Sequence, residues 1–229
     1  MPTPDSYLEQ VWCTDEHIAI RAHGDFQALL PKSQILAAGA DGVIAAGNLW
    51  QVTSATTDFQ GQGVTLGHVV QLISPRPNFP GSGRLFAVSA VSGAAVTLRA
   101  IGQGDGVGQP PVSAAGLSGI GFVVGTFSPQ IEDASYRLNQ RFGIHPEFPR
   151  AAPSHIADAR VLRQAAVCTV LYRAYLIETR TQTGDFAFKL AEMRQEMTEA
   201  MEQCVIRWGG SASAESQPPT TYFNTRLSR

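Results

Sequence analysis

Apolar and polar positions follow two different rhythms along this chain. Between residues 45 and 127 they alternate. Beyond residue 128 the apolar positions recur every three or four residues. The first rhythm puts alternate side chains on opposite faces of a strand, and the second builds one face of a helix. LWQVTS (49–54), LGHVVQLI (66–73), LFAVSAV (85–91), AVTLRAI (95–101) and GIGFVVGTF (119–127) read as short strands. Val96 and Leu98 point one way, and Thr97 and Arg99 the other. Ser92-Gly93 predicts a tight hairpin turn, and Pro75, Pro77 and Pro80 mark a loop. Five such strands predict a small barrel or curled sheet. Ahead of them, residues 1–44 read as helical and broken. Thr14 caps a short helix with Asp15 and Glu16 in its first turn, and Pro31, Gly39 and Gly42 punctuate the chain beyond that helix.

Three helices are predicted after the strands. Ser128-Pro129 opens the first, with Gly143 past its end and Ile131, Ser135, Leu138 and Phe142 on one face. HPEFPRAAP (145–153) is a linker stiffened by proline. The second helix spans about Ser154 to Glu178, TRTQTG makes a turn, and the third runs from a cap at Asp185 to about Trp208, where Gly209-Gly210 stops it. On the third helix Phe186, Leu190, Met193, Met197, Met201, Cys204 and Trp208 form an apolar face, opposite Glu192, Glu196, Glu199 and Glu202. That acidic side reads as a solvated face, or as a stripe lining a channel or meeting a neighbour's arginines. The second helix differs. Leu162, Ala165, Ala166, Val170, Leu171 and Tyr175 belong to a set that covers nearly all its sides. A helix apolar all round has to be buried all round, and exposure would cost about 1.5–3 kcal/mol per large side chain. The expectation is that other copies of the chain supply much of that cover. Residues 210–229 are polar, contain prolines and lack a period, so they read as a disordered arm.

Composition narrows the function. Hydrophobic residues make up 44% of the 229 and charged residues 16%, against an average charged share of about 25%. So little charge suits a surface hidden in an assembly. The formal net charge of −2 provides no basic field for nucleic acid. Cys13, Cys168 and Cys204 are odd in number and form no CxxC pair, which signals neither a zinc site nor a disulfide framework and fits a reducing cytoplasm. The first residues lack the basic and apolar regions of a signal peptide. No apolar run reaches the ~20 residues of a membrane helix.

Candidate chemistry is sparse. GQGDGVGQPP (102–111) has glycines at the wrong spacing for a dinucleotide loop and reads as a flexible hairpin loop. GLSGIG (116–121) has Ile120 where a nucleophile elbow needs its last glycine. The five histidines form no metal-binding spacing, and Asp15, Glu16 and His17 point apart on a helix and read as a charged first turn. No catalytic residue, cofactor site or metal site is expected.

The stretch LRQAAVCTVLYRAYLIETRTQTGDFAFKLAEMRQEMTEAMEQCVIRWG (162–209), preceded by SPQIEDASYRLNQRFGI, resembles the helical hairpin of head–tail connector (adaptor) proteins of tailed bacteriophages. The likeness covers roughly residues 128–209; such connectors are smaller, and the β-rich segment departs from them. The resemblance implies a virion protein, made in the host cytoplasm, that forms a ring, usually twelve-fold, in the phage neck. The ring docks on the portal protein and joins it to a stopper or tail protein, and DNA passes through its lumen without specific binding. It implies subunit contacts through Leu162, Ala166, Val170, Arg173, Phe186, Leu190, Met193, Met197, Met201 and Trp208. Glu192, Glu196 and Glu199 would face the lumen, where negative charge avoids phosphate contacts. Tyr222 and Phe223 would anchor the arm on the portal or a neighbour. The expected fold is α+β, with a small barrel-like segment before a C-terminal helical hairpin. The expected division is 1–44 helical, 45–127 β-rich, 128–209 connector and 210–229 arm. Two rivals stay open: a β-module of a tail or baseplate that binds a sugar or protein and is oligomerised by its helices, and an enzyme.

Overall fold

A computed structural model describes residues 11–45, 47–73, 83–104, 106–111, 117–144, 156–181 and 186–206. The architecture is α+β: a closed six-stranded barrel with helices before and after it in the chain. Helices α1 (Asp15–Arg21) and α2 (Phe26–Leu29) come first, and a 3₁₀ turn (Lys32–Gln34) leads into β1 (Ile35–Ile44). Then come β2 (Gln51–Thr53), β3 (Val69–Ile73), β4 (Leu85–Ser92), β5 (Ala95–Ala100) and β6 (Leu117–Gly125). Helices α3 (Ser128–Phe142), α4 (Arg160–Thr181) and α5 (Ala187–Gln203) complete the order.

The strands pair antiparallel in the order β1-β2-β5-β4-β3-β6, and β6 closes back on β1. Closure removes the open edges that a small sheet would otherwise expose. All five predicted strands are present. The sixth, β1, lies where the sequence reads as broken helix, so the barrel begins at Ile35 rather than at residue 45. Its sequence, ILAAGADGVI, hides the strand because small residues dilute the alternation. Gly39 and Gly42 read as punctuation, yet they are positions of close approach. A Cβ on Gly42 would sit 2.7 Å from the Ile120 carbonyl oxygen of β6. The hairpin between β4 and β5 turns at Gly93 and Ala94, one residue later than predicted, since Ser92 pairs with Ala95. The 102–111 segment connects β5 to β6, which are not neighbours, so it is a crossover rather than a hairpin loop. GLSGIG falls largely within β6.

Two cores result. Inside the barrel, Phe86, Phe122, Leu72, Leu98, Ile44, Val52 and their neighbours fill the space, and Phe59 adds its ring against Phe122 at 5.1 Å. Val69 and Leu85 instead belong to the helical core, so β3 and the first half of β4 are buried on both faces, while Ser89–Ser92 of β4 are not buried. In that second core α4 is central and touches α1, α2, α3 and α5. Leu162, Ala165, Ala166, Val170 and Leu171 are fully buried. For these residues the chain's own elements supply the cover expected from other copies, while Val161, Tyr172 and Leu176 are half-buried and Ile177 is 49% exposed. The two short N-terminal helices close the side that the sequence pattern leaves open, because Ile18, Ala19, Phe26 and Leu29 all join this core.

Helix ends follow the chain's chemistry with small shifts. Thr14 is the N-cap of α1, as predicted, and its N–H donates to His17 Nδ1 at 3.1 Å. Ser128 is already helical and Phe127 occupies the N-cap position of α3 without a side-chain cap, while the Ser128 N–H donates to Thr126 Oγ1; Pro129 is in the first turn, and Gly143 ends the helix at φ 63°, a left-handed conformation that suits glycine. Ser154, Asp185 and Trp208, expected from sequence as caps and a terminus, lie outside the described residues.

Candidate functional site

The helical half carries most of the residues singled out above, and α3, α4 and α5 set their positions. Leu162, Ala166 and Val170 are inside the chain's own core and are not available to a neighbour. Met193 is buried, while Phe186, Leu190, Met197 and Met201 are half-buried against the same core. Arg173 is paired with Asp133 of α3, and Arg137 approaches the same carboxylate at 3.1 Å. Burial acts to raise the Asp133 carboxyl, but the two guanidinium groups outweigh it and hold it below the usual range. Trp208, Tyr222 and Phe223 lie outside the described residues.

The acidic stripe divides. Glu192 and Glu199 are exposed. Glu196 turns toward α1 and pairs with Arg21, so it is a tie between helices rather than a free lumen charge. Beside it, Asp25 accepts hydrogen bonds from Tyr175 Oη at 2.6 Å and from Lys189 Nζ at 2.6 and 2.8 Å. Burial pushes the Asp25 carboxyl up, but these partners overcome that and depress it. Tyr175 is raised by burial and by the Asp25 it donates to. These contacts line a cleft of about 320 Å³ between the α1–α2 corner and α5, whose charged groups are largely neutralised by one another.

At the opposite end of α1, Asp15 is 4% exposed and accepts the Phe127 N–H at 2.6 Å. Burial lifts its carboxyl to about 6, against the hydrogen bonds from Phe127 and Thr126. Glu16 receives Arg99 of β5 and the Gly102 N–H at 2.8 Å, and so ties α1 to the barrel. Trp12 donates from Nε1 to Asn139 Oδ1 at 2.7 Å and from its backbone to Ser135 Oγ at 3.0 Å, which satisfies two buried polar groups of α3. By sequence Asp15 and Glu16 read only as a charged first turn. Nothing local distinguishes an acid that faces water from one that faces a distant backbone amide.

Next to Asp15 is an open recess of about 180 Å³. The segment Val11–Asp15, the loop Thr65–His68 and the start of α3 at Ser128, Ile131 and Glu132 enclose it. Its lining mixes apolar Leu66, 72% exposed, and Val11, 40% exposed, with polar Thr14, Thr65, Ser128 and Glu132. Cys13 on its wall is buried, and desolvation raises its thiol to about 12, far from the reactive thiolate range. His68 is lowered by burial, and its Nδ1 accepts the Thr65 N–H at 3.1 Å.

No protein family, curated protein or solved structure matches this chain. Among the described residues no three metal-ligating side chains cluster, and no helix is long and apolar enough to cross a membrane.

Proposed function

We propose that this chain is a structural component of a tailed-phage neck, a ring-forming connector that joins the portal to a stopper or tail protein and lets DNA pass. In this reading it carries no catalysis. The observation that carries the reading is the order and packing of the last three helices. A capped α3 precedes a long, largely apolar α4, and a mixed α5 folds back on α4, in the same order as the stretch that resembles the connectors.

The packing changes where neighbours meet. Since the apolar positions at the centre of α4 are buried within its own chain, the contact between copies is assigned to side chains the fold leaves bare around the hairpin. Foremost of these is Phe188, 78% exposed. Glu192 and Glu199 then serve as lumen-facing acids. The rival β-module has less support. Phe59, Phe86, Phe122 and Phe127 are buried, and Trp50 leans on Phe86 at 6.4 Å. Among the described residues they form no exposed aromatic platform for a sugar, and side chains fill the barrel interior.

Purified chain mixed with the cognate portal protein and imaged by negative stain should give capped rings. A monomer that ignores the portal and instead binds a glycan array would overturn the proposal in favour of the β-module.

A further inference from the structure

We propose that copies of the chain meet head to tail through two different flanks of the α4–α5 hairpin, Phe188 of one copy seating on Tyr172, Leu176, Leu190, Met197 and Met201 of the next. This rests on the assembly of copies proposed for the ring, and it names the surface that receives Phe188. Position around the helices is the first argument. Met193 and Ala200 turn α5 inward, and Lys189 and Glu196 reach the α1–α2 corner. At about 100° per residue, Phe188, Glu192 and Glu199 come next on the outer side, all exposed. Leu190, Met197 and Met201 fall on the opposite flank, only half-buried. On α4, Cys168 and Tyr175 lie toward Arg21 and Asp25. Tyr172 and Leu176 turn the other way and are half-buried, so they continue the flank of Leu190 and Met197. Two methionines in such a strip suit a surface that receives an aromatic ring.

Charge selects the occupant. The strip is bordered by Arg194, one turn from both Leu190 and Met197, and by Arg180, one turn beyond Leu176; both are exposed. Phe188 is bordered instead by Glu192, one turn on, and by Glu199 along the same side. The knob with its acids complements the strip with its arginines, so the partner that fits is a second copy in a repeated orientation. A two-fold contact through Phe188 would set acids against acids. A heterologous contact between unlike surfaces closes into a ring when its rotation allows. In that ring Glu192 and Glu199 stay on the wet lumen rim of the contact, where they steer the neighbour's arginines by their field rather than by burial.

Disulfide trapping between full-length chains at high concentration tests this, because all three native cysteines are buried. Ala191, exposed one turn from Phe188, marks the knob, and Met197 marks the strip. The two positions are about 9 Å apart along α5, beyond the ~7 Å reach of a disulfide, so they cannot join within one chain. Ala191→Cys chains mixed with Met197→Cys chains should cross-link roughly ten-fold faster than Ala191→Cys chains mixed with Ala90→Cys on the barrel. The double variant Ala191→Cys/Met197→Cys should give a ladder. Phe188→Ala in the Ala191→Cys chain should remove the excess. Arg194→Glu in the Met197→Cys chain should reduce it, and Glu192→Arg in the Ala191→Cys chain should then restore it. Cross-linking no faster than the control, an excess indifferent to Phe188→Ala, or Ala191→Cys chains joining one another faster than they join Met197→Cys would overturn the proposal. Capped portals without the excess would overturn this contact and leave the neck reading intact. The excess without capped portals would support the contact and overturn the neck reading.

Discussion

Asp15 is the residue whose surroundings matter most. Its carboxyl titrates near 6 in the fold against an ordinary value of 3.8, so folding favours the protonated form. This contribution to stability is fully present below about pH 4 and is lost as pH rises to about 6. Asp15→Asn keeps an acceptor for the Phe127 N–H and removes the buried charge. The variant should match or exceed the parent at pH 8, by up to about 3 kcal/mol, and should lose the parent's fall in stability between pH 4 and 6. Urea melts at the two pH values check this, and a large loss of stability at pH 8 would show that the ionised carboxylate is needed. Glu196 behaves differently. Its pair with Arg21 is partly solvated, so Glu196→Gln should cost under about 1 kcal/mol in the same melts.

At the scale of elements, α5 is the least buried of the long helices. Among its residues only Met193 and Ala200 are fully buried, and its flank is tied to α1 and the α1–α2 corner by Glu196 and Lys189. Lys189→Glu should therefore raise amide exchange across α5 while leaving β3, β4 and α4 protected, as hydrogen exchange with mass spectrometry can resolve. Uniform protection of α5 in the variant would show that packing on α4 alone holds it. By contrast, Val170→Asp places a charge in the centre of the helical core and should unfold that half, seen as lost helical circular dichroism.

For the whole molecule, the burial of the centre of α4 within its own chain weakens the argument that copies must shelter one another. In the proposed ring, the contact between copies falls instead to Phe188 at the start of α5. Phe188→Asp should leave the monomer's melting within about 0.5 kcal/mol of the parent, because the ring is 78% exposed, yet abolish rings on the portal. Light scattering and negative stain separate these outcomes, and rings that persist would move the contact elsewhere.

The strands from β2 to β6, the cap at Thr14, the end of α3 at Gly143 and the apolar faces of α4 and α5 were all legible, since each depends on periodicity or on the conformational preference of a few adjacent residues. The strand β1 was not, because alanine and glycine weaken alternation and only the approach of β6 explains them. The closure of the barrel, the pairing of Glu196 with Arg21, the burial of Asp15 and the recess beside it join residues far apart in sequence. Periodicity tells which side of an element must leave water. Which neighbour takes it out, a second copy or the chain's own N-terminal helices, was decided by tertiary packing alone.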